Sequence, residues 1–367
     1  MSFQRCNRLL STINRPLNVL FFGSDQFSSH SLKGLDELKR QGSKIAQIQL
    51  VTRSPKWCGR QNSILKYPPI VEVARELGLR EPLVCDSRQD LVDLSEVVKD
   101  EHYNLIVAVS FGKLIPSELI NAVPFALNVH PSLLPRYKGA SPIQHALLNG
   151  DKTTGVTVQT LHPSKFDQGS IVAQTRALNI DELLSKGTVS RFEDDTPRAT
   201  AILMDQLGIE GSRLLQKVIA QELYTKIKNN TTDTIEPSYA PKITTEMKHI
   251  DWNSHDAATL VRRLAVLGPL FTYKNTCHKR KDTASIMKRV ILHEFHIASR
   301  HPQQLQEPGN FTFDQETSDL LVKCKGPYCI QVSKIQFEGY KVENATQFMT
   351  SLRKRCGKTM AEQRLFL

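Results

Sequence analysis

The chain is predicted to be an α/β protein: a doubly wound domain followed by a smaller β-barrel domain. Two observations predict this. In the first half, short apolar runs alternate with amphipathic stretches, which argues for a mostly parallel sheet with helices on both faces. In the second half, short β segments crowd together, which suits a barrel. The elements follow in order. Residues 18–23 are apolar, close on Gly23 and precede Ser24 and Asp25, predicting a buried strand and a capped helix with Phe27, Leu32, Leu35 and Leu38 at helical spacing. Residues 45–51, 105–110 and 126–130 predict three more core strands, with 155–160 and 171–177 further strands. Residues 70–77 and 91–98 predict helices. Beyond a polar stretch come a helix from Ser254, β segments at 270–273, 286–295, 319–325 and 328–337, and a terminal helix at 346–355.

Composition excludes several classes. A hydrophobic share of 40% supports buried cores, against wholesale disorder. No apolar run approaches the ~18–20 residues of a membrane span, so no membrane partner is expected. Seven scattered cysteines argue against a disulfide scaffold and for a reducing compartment. The first strand-to-helix turn has one glycine and lacks G-x-G-x-x-G, and no P-loop occurs, so the ligand must bind elsewhere, in the crevice beyond the strand ends. His293 and His296 lack zinc-protease spacing, and Cys324 and Cys329 lack a second pair, so no metal is expected.

The net charge of +11 is unevenly placed. Residues 1–24 carry three arginines and no acid, residues 25–240 carry 25 bases and 25 acids, and residues 241–367 carry 20 bases against 12 acids. Residues 1–16 are Arg-rich, contain Ser and lack acids, which is the pattern of a mitochondrial presequence. The basic tail is expected to meet phosphates. Its clusters are Lys274, Lys279, Arg280 and Lys281; Lys288 and Arg289; and Arg353, Lys354, Arg355, Lys358 and Arg364.

The densest polar cluster runs from Asn128 and His130 through Pro135, Gly139 and Gln144. On a strand, Asn128 and His130 share a face. Downstream, Asp167 lies in a turn before a strand. An amide, an imidazole and a carboxylate suit acyl transfer to an amine. The amide and a protonated imidazole stabilise an oxyanion, and the carboxylate orients the imidazole and takes the amine's proton.

Residues 17–23, 110–116, 128–144 and 167–169, in this order and spacing, resemble the 10-formyltetrahydrofolate-dependent formyltransferases. The resemblance implies a Rossmann-like catalytic domain with Asn128, His130 and Asp167 as the catalytic triad. It implies folate contacts at Ser132, Leu133, Leu134 and Pro135 and a pterin-side loop at Val109, Ser110, Phe111, Gly112 and Leu114. Two positions depart from the family pattern: Phe111 stands where members often have tyrosine, and Ser170 where they often have aspartate.

Body, linker and an OB-fold-like C-terminal barrel form the arrangement of those members that act on methionyl-tRNA; residues 238–243, 250–252 and the helix from Ser254 resemble the start of that barrel. The implied division is a presequence at 1–16, a catalytic domain at 17–222, a linker at 223–237 and a basic tRNA-binding domain at 238–367. The implied reaction moves the formyl group of 10-formyltetrahydrofolate to the α-amine of initiator methionyl-tRNA, by a monomer in the mitochondrial matrix. Arg60 matches the arginine of a tRNA-contacting loop, and Arg53, Lys56 and Trp57 beside it suit an RNA 3′ end. Lys279, Arg280 and Lys281 are the further expected tRNA contacts.

Overall fold

The first unit is built on seven strands: β1 (Leu17–Gly23), β2 (Ile45–Thr52), β3 (Leu83–Val84), β4 (Leu105–Val109), β5 (Phe125–His130), β6 (Thr157–Thr160) and β7 (Ile171–Gln174). Their order is β7-β6-β5-β4-β1-β2-β3. The computed structural model describes residues 16–42, 44–187, 196–226, 235–278, 281–303 and 305–367, apart from the side chains of Arg60, His278 and 281–285. Contacts divide the chain into a unit of residues up to 193 with 201–242, and a unit of 194–200 with 243–367. Residues 1–15 of the expected presequence and 227–234 of the expected linker lie outside the described residues.

β1 and β4 are buried almost throughout, as strands covered on both faces are. The strands from β3 to β5 run parallel, whereas β6 and β7 are antiparallel additions at the edge. β6 returns to β7 through a loop without a crossover helix, and such a short return admits only antiparallel pairing. The strand order reverses between β1 and β4, where Gly23 lies opposite Val109. Ser24 Oγ closes that point by donating to the Ser110 carbonyl at 2.6 Å. This crevice is the usual ligand position in a doubly wound sheet.

Helix α1 (Gln26–Arg40) is capped by Asp25, whose side chain accepts from the Ser28 amide at 3.0 Å. Helices α2 (Pro69–Glu76), α3 (Arg88–Asp100), α4 (Ser117–Ala122) and α5 (Pro142–Asn149) follow. The long α6 (Arg198–Ala220) braces α1: His30 Nε2 meets Asp205 Oδ1 at 2.7 Å, and Gln216 Nε2 donates to the Gly34 carbonyl at 2.9 Å. Gly211 of α6 lies so close to Val129 and Val156 that a Cβ there would stand 3.3 Å from each. The helix therefore backs β5 on the side opposite Asn128 and His130.

Residues 238–242 belong with the first unit, so the boundary falls after Lys242 rather than at the expected 238. The cause is backbone pairing. The amides of Lys138 and Ser141 donate to the Ser238 and Ala240 carbonyls at 2.9 and 3.1 Å, and Ala240 N returns to the Lys138 carbonyl at 2.7 Å.

The second unit is an antiparallel sheet of β8 (Leu270–His278), β9 (Lys281–Ile297), β10 (Phe311–Asp314), β11 (Asp319–Lys323) and β12 (Cys329–Phe337), in the order β8-β9-β12-β11-β10, with β13 (Glu343–Asn344) on β12. Helices α7 (Ala257–Leu267), α8 (Ala345–Cys356) and α9 (Lys358–Glu362) accompany it. The sheet curls, and the C-terminal residues lie between its two edges. Leu367 exchanges both backbone bonds with Tyr273 of β8 at 2.8 and 3.3 Å, Phe366 N donates to the Gly309 carbonyl at 2.9 Å, and Phe311 N donates to the Arg364 carbonyl at 2.8 Å. Neither β10 nor this closing segment was among the expected strands.

Several tail cations also differ from expectation. Lys274 is buried, and its Nζ donates to the carbonyls of Met360 and Gln363 at 2.6 and 2.8 Å. Arg355 pairs with Glu343 and lies over the Tyr340 ring at 4.0 Å, and Lys288 pairs with Glu338 at 2.6 Å. Arg289, Arg353, Lys354, Lys358 and Arg364 are exposed.

Phe366 is 1% exposed and stacks on Phe311 at 4.3 Å, with Trp252 and Phe348 each at 6.3 Å. Phe366→Ala should lower the stability of the second unit by roughly 3–5 kcal/mol through lost burial and the cavity left. Chemical denaturation should show that loss in the second unit's transition; a shift below about 1 kcal/mol would mean that the ring does not close the barrel core.

Candidate active site

Asn128 and His130 leave the carboxyl end of β5 on one face and line a cavity of about 720 Å³. The Asp167 turn faces them. Its Oδ1 lies 3.4 Å from His130 Nδ1 and 3.4 Å from Asn128 Nδ2, and its Oδ2 accepts from the Gly139 amide at 2.8 Å. The structure thus brings together the three expected catalytic residues. Asp167, Ser110 and Tyr137 have φ of +52°, +50° and +57°. Such conformations cost roughly 1–3 kcal/mol each in non-glycine residues and cluster where a site imposes them.

His130 is buried, and its Nε2 lies 2.9 Å from the Tyr137 carbonyl. A carbonyl only accepts, so Nε2 carries a proton. Nδ1 faces a carboxylate, so both ring nitrogens meet acceptors, an arrangement that the imidazolium satisfies in full. Tyr137 in turn is fixed through its phenol, which donates to Asp151 at 2.8 Å and accepts from Asn149 at 2.9 Å. Burial, aided by Asp151, raises the pKa of that phenol and keeps it a neutral donor.

Gln159 was not among the expected residues. It is 1% exposed on β6, opposite Asn128 in the ladder, and its Nε2 donates to Asp167 Oδ1 at 3.0 Å. This bond is shorter than those from Asn128 and His130. No motif in its own segment marks it; its place opposite Asn128 in the ladder is what gives it a role.

Of the loop expected beside the pterin, Ser110, Phe111, Gly112 and Leu114 line the cavity, whereas Val109 is buried in β4 and does not. Phe111 packs edge-to-face on Phe22 at 5.1 Å and forms apolar wall. Ser132, Leu133, Leu134 and Pro135, expected to touch folate, do not line the cavity either. Their polar groups hold the loop itself: Thr157 Oγ1 donates to the Ser132 carbonyl at 2.7 Å and accepts from the Leu134 amide at 3.1 Å, and Ser132 Oγ donates to the Arg136 carbonyl at 2.7 Å. At the altered position 170, the Ser170 backbone pairs with Thr160 through both its amide and its carbonyl at 2.9 Å.

Of the residues expected to contact tRNA, Arg53 and Lys56 do not line the cavity, nor does the neighbouring Trp57. Arg53 Nε donates to Asp86 at 2.8 Å, and this bond holds the Asp86 carboxyl below the usual range. Lys56 and Trp57 are exposed on a hairpin of Lys56–Cys58 against Ile64–Lys66, Trp57 by 62%. The side chains of Arg60 and Lys281, and all of Lys279 and Arg280, lie outside the described residues.

The formyl transferase model matches residues 17–200, and the model of the formyl transferase C-terminal domain matches residues 242–353. The chain belongs to the formyltransferase family. It is 49% identical to the mitochondrial methionyl-tRNA formyltransferase of Saccharomyces cerevisiae, over 96% of this chain and 93% of that one. It is 31% identical to the methionyl-tRNA formyltransferase of Streptococcus pyogenes serotype M28, over 65% of this chain and 70% of that one. The fold is shared with WlaRD, a sugar 3N-formyltransferase solved with dTDP and 5-N-formyl-THF, with a TM-score of 0.50 and 15% identity over 89% of this chain and 100% of that one.

In this formyltransferase, Gly139 has φ +116°, and a Cβ there would stand 2.7 Å from the Ala240 carbonyl oxygen. Gly139→Ala should therefore displace the amide that holds Asp167 Oδ2. A shift near 1 Å costs about 10²-fold in rate. Steady-state kinetics should show that loss in kcat, and a near wild-type kcat would detach Gly139 from the reaction geometry.

Proposed function

We propose that this chain transfers the formyl group of 10-formyltetrahydrofolate to the α-amine of methionyl-tRNA, yielding N-formylmethionyl-tRNA. One observation carries the reading: in a formyltransferase-family chain, the Asp167 carboxylate stands between His130 and Asn128 at the wall of a cavity of about 720 Å³. That volume lies in the range of pockets that bury most of a drug-sized ligand. The Ser110–Leu114 segment offers backbone polar groups beside the Phe111 ring, a lining that fits a flat heterocycle such as a pterin.

The folate supplies the formyl group on N10. The remaining chemistry falls to the chain's own residues. Asn128 Nδ2 and His130 Nδ1 donate to the negative charge that develops on the formyl oxygen. Asp167, directly or through one water, takes the proton that the attacking amine loses. His130 returns a proton to the departing N10 and is recharged from Asp167. A new N–C bond forms, the N10–C bond breaks, and the amine proton ends on N10. The Tyr137 carbonyl and the Gly139 amide keep the imidazole and carboxylate in register throughout.

The chain is mitochondrial, in keeping with the name of its Saccharomyces cerevisiae relative and with its acid-free, Arg-rich leader. We place it in the matrix, acting there as a monomer on initiator methionyl-tRNA. Trp57 with Lys56 and Arg60 is the surface we assign to the acceptor end, and the basic second unit to the tRNA backbone.

His130→Ala should cut turnover by about 10²–10⁴-fold while tRNA affinity stays within a factor of two. Unchanged turnover removes His130 from the mechanism. The exposed cations of α8 and α9 make a separate prediction. Replacing Arg353, Lys354 and Lys358 by Ala should reduce the slope of log affinity against log salt by about 2–3, one per lost phosphate contact. A slope as steep as before would place the tRNA backbone on another face.

A further inference from the structure

We infer that Tyr239 is a stacking platform for the terminal base of the aminoacyl-tRNA, with Lys138 and Lys165 placed to meet the adjoining phosphates; this rests on methionyl-tRNA being the substrate. The argument begins with the substrate's covalent structure. The reacting amine is joined to the terminal ribose through nothing but the aminoacyl ester. Once the amine reaches Asp167, the terminal nucleotide must rest at the mouth of the same cavity.

Tyr239 lies there. It lines the cavity with Gly139 and Asp167, is 71% exposed, and has no aromatic partner among the described residues. Its ring lies directly over Gly139, where a Cβ would stand 2.7 Å from Cε2. The amide of that same glycine holds Asp167 Oδ2. The ring is thus one residue removed from the carboxylate.

It is also rigidly presented. Lys138 N donates to the Ser238 carbonyl at 2.9 Å, Ala240 N donates to the Lys138 carbonyl at 2.7 Å, and Tyr137 N donates to Ser238 Oγ at 2.8 Å. A ring fixed at its backbone loses little further entropy when a base stacks on it. Beside it, Lys113, Lys138 and Lys165 line the cavity without an ion-pair partner among the described residues. Among the described residues, Lys138 Nζ meets the neutral Gln168 Oε1, at 3.3 Å. An aromatic face flanked by unpaired cations is the usual composition of a single-stranded nucleic-acid site.

The test is steady-state kinetics of the full chain, varying methionyl-tRNA at saturating 10-formyltetrahydrofolate and then the reverse. Tyr239→Ala should raise KM for methionyl-tRNA about five- to a hundredfold, the range expected from one lost base stack. KM for the folate should stay within twofold. Tyr239→Phe keeps the stack and should behave as wild type, while Tyr239→Leu keeps bulk without a ring and should match Tyr239→Ala. An unchanged KM for tRNA in both ring-less variants overturns the inference. So does a rise confined to the folate KM, which would give the ring to the folate's own tail, or an equal defect in Tyr239→Phe, which would give the role to the hydroxyl. A wild-type chain that turns over no methionyl-tRNA overturns the substrate reading and this inference together; normal wild-type turnover with unaffected variants overturns this inference alone.

Discussion

A single buried carboxylate organises the first unit's site. The Asp167 side chain is 8% exposed, and a charge so placed is stable only with donors around it. The donors come from separate segments: Asn128 and His130 on β5, Gln159 on β6, and the Gly139 amide on the loop after β5. Each donor fixes its segment. The antiparallel direction of β6 is what sets Gln159 opposite Asn128. The loop bearing Gly139 is held in turn by the Ser238–Ala240 segment and by Tyr137 on Asp151. Donors from residues 128 to 159 therefore converge on two oxygen atoms, and a segment about 100 residues further along the chain fixes the loop that carries one of them.

What was legible in the sequence follows the same physics. Continuous apolar runs announced β1 and β4, because strands covered on both faces must be apolar throughout. Asn128 and His130 stood out because their spacing of two is the period of a strand face. Gln159 obeys the same period but carries no distinctive motif, so only its position against Asn128 gives it meaning. The Ser132–Pro135 segment has a structural role that no pattern announces: Thr157 Oγ1 and the Arg136 carbonyl satisfy polar groups of Ser132 and Leu134 within the loop. The closing segment of the barrel was illegible because a few terminal residues have no period; their pairing with Tyr273 and Gly309 is set by three-dimensional closure alone.

Charge needs the same discrimination. A net excess of positive residues in the second half located a basic unit correctly, but counting treats every cation alike. Lys274 holds the chain near the C-terminus, while Arg355 and Lys288 are paired with Glu343 and Glu338. A buried ammonium bonded to carbonyls or a paired guanidinium cannot also release counterions from a polyanion. The cations available to a polyanion are therefore fewer than the sequence tally, and the exposed Arg353, Lys354 and Lys358 are among them.

The geometry around Asp167 also bears on how a site without a protein nucleophile begins to react. Each oxygen of Asp167 has one close amide donor, the Gly139 backbone on Oδ2 at 2.8 Å and the Gln159 side chain on Oδ1 at 3.0 Å, whereas His130 and Asn128 stand at 3.4 Å from Oδ1. The carboxylate is anchored at both oxygens, and the two residues assigned to the reaction are held loosely against it. In the proposed mechanism, a closer His130 would give up its proton less readily and leave less room for an incoming amine. At the longer distance the amine can enter between the carboxylate and the imidazole, and the bonds can tighten as charge develops. The anchors keep the carboxylate from following the proton. This difference between anchoring and reacting donors supplies what a catalytic serine or cysteine supplies elsewhere: a direction for the proton, set before the substrates arrive.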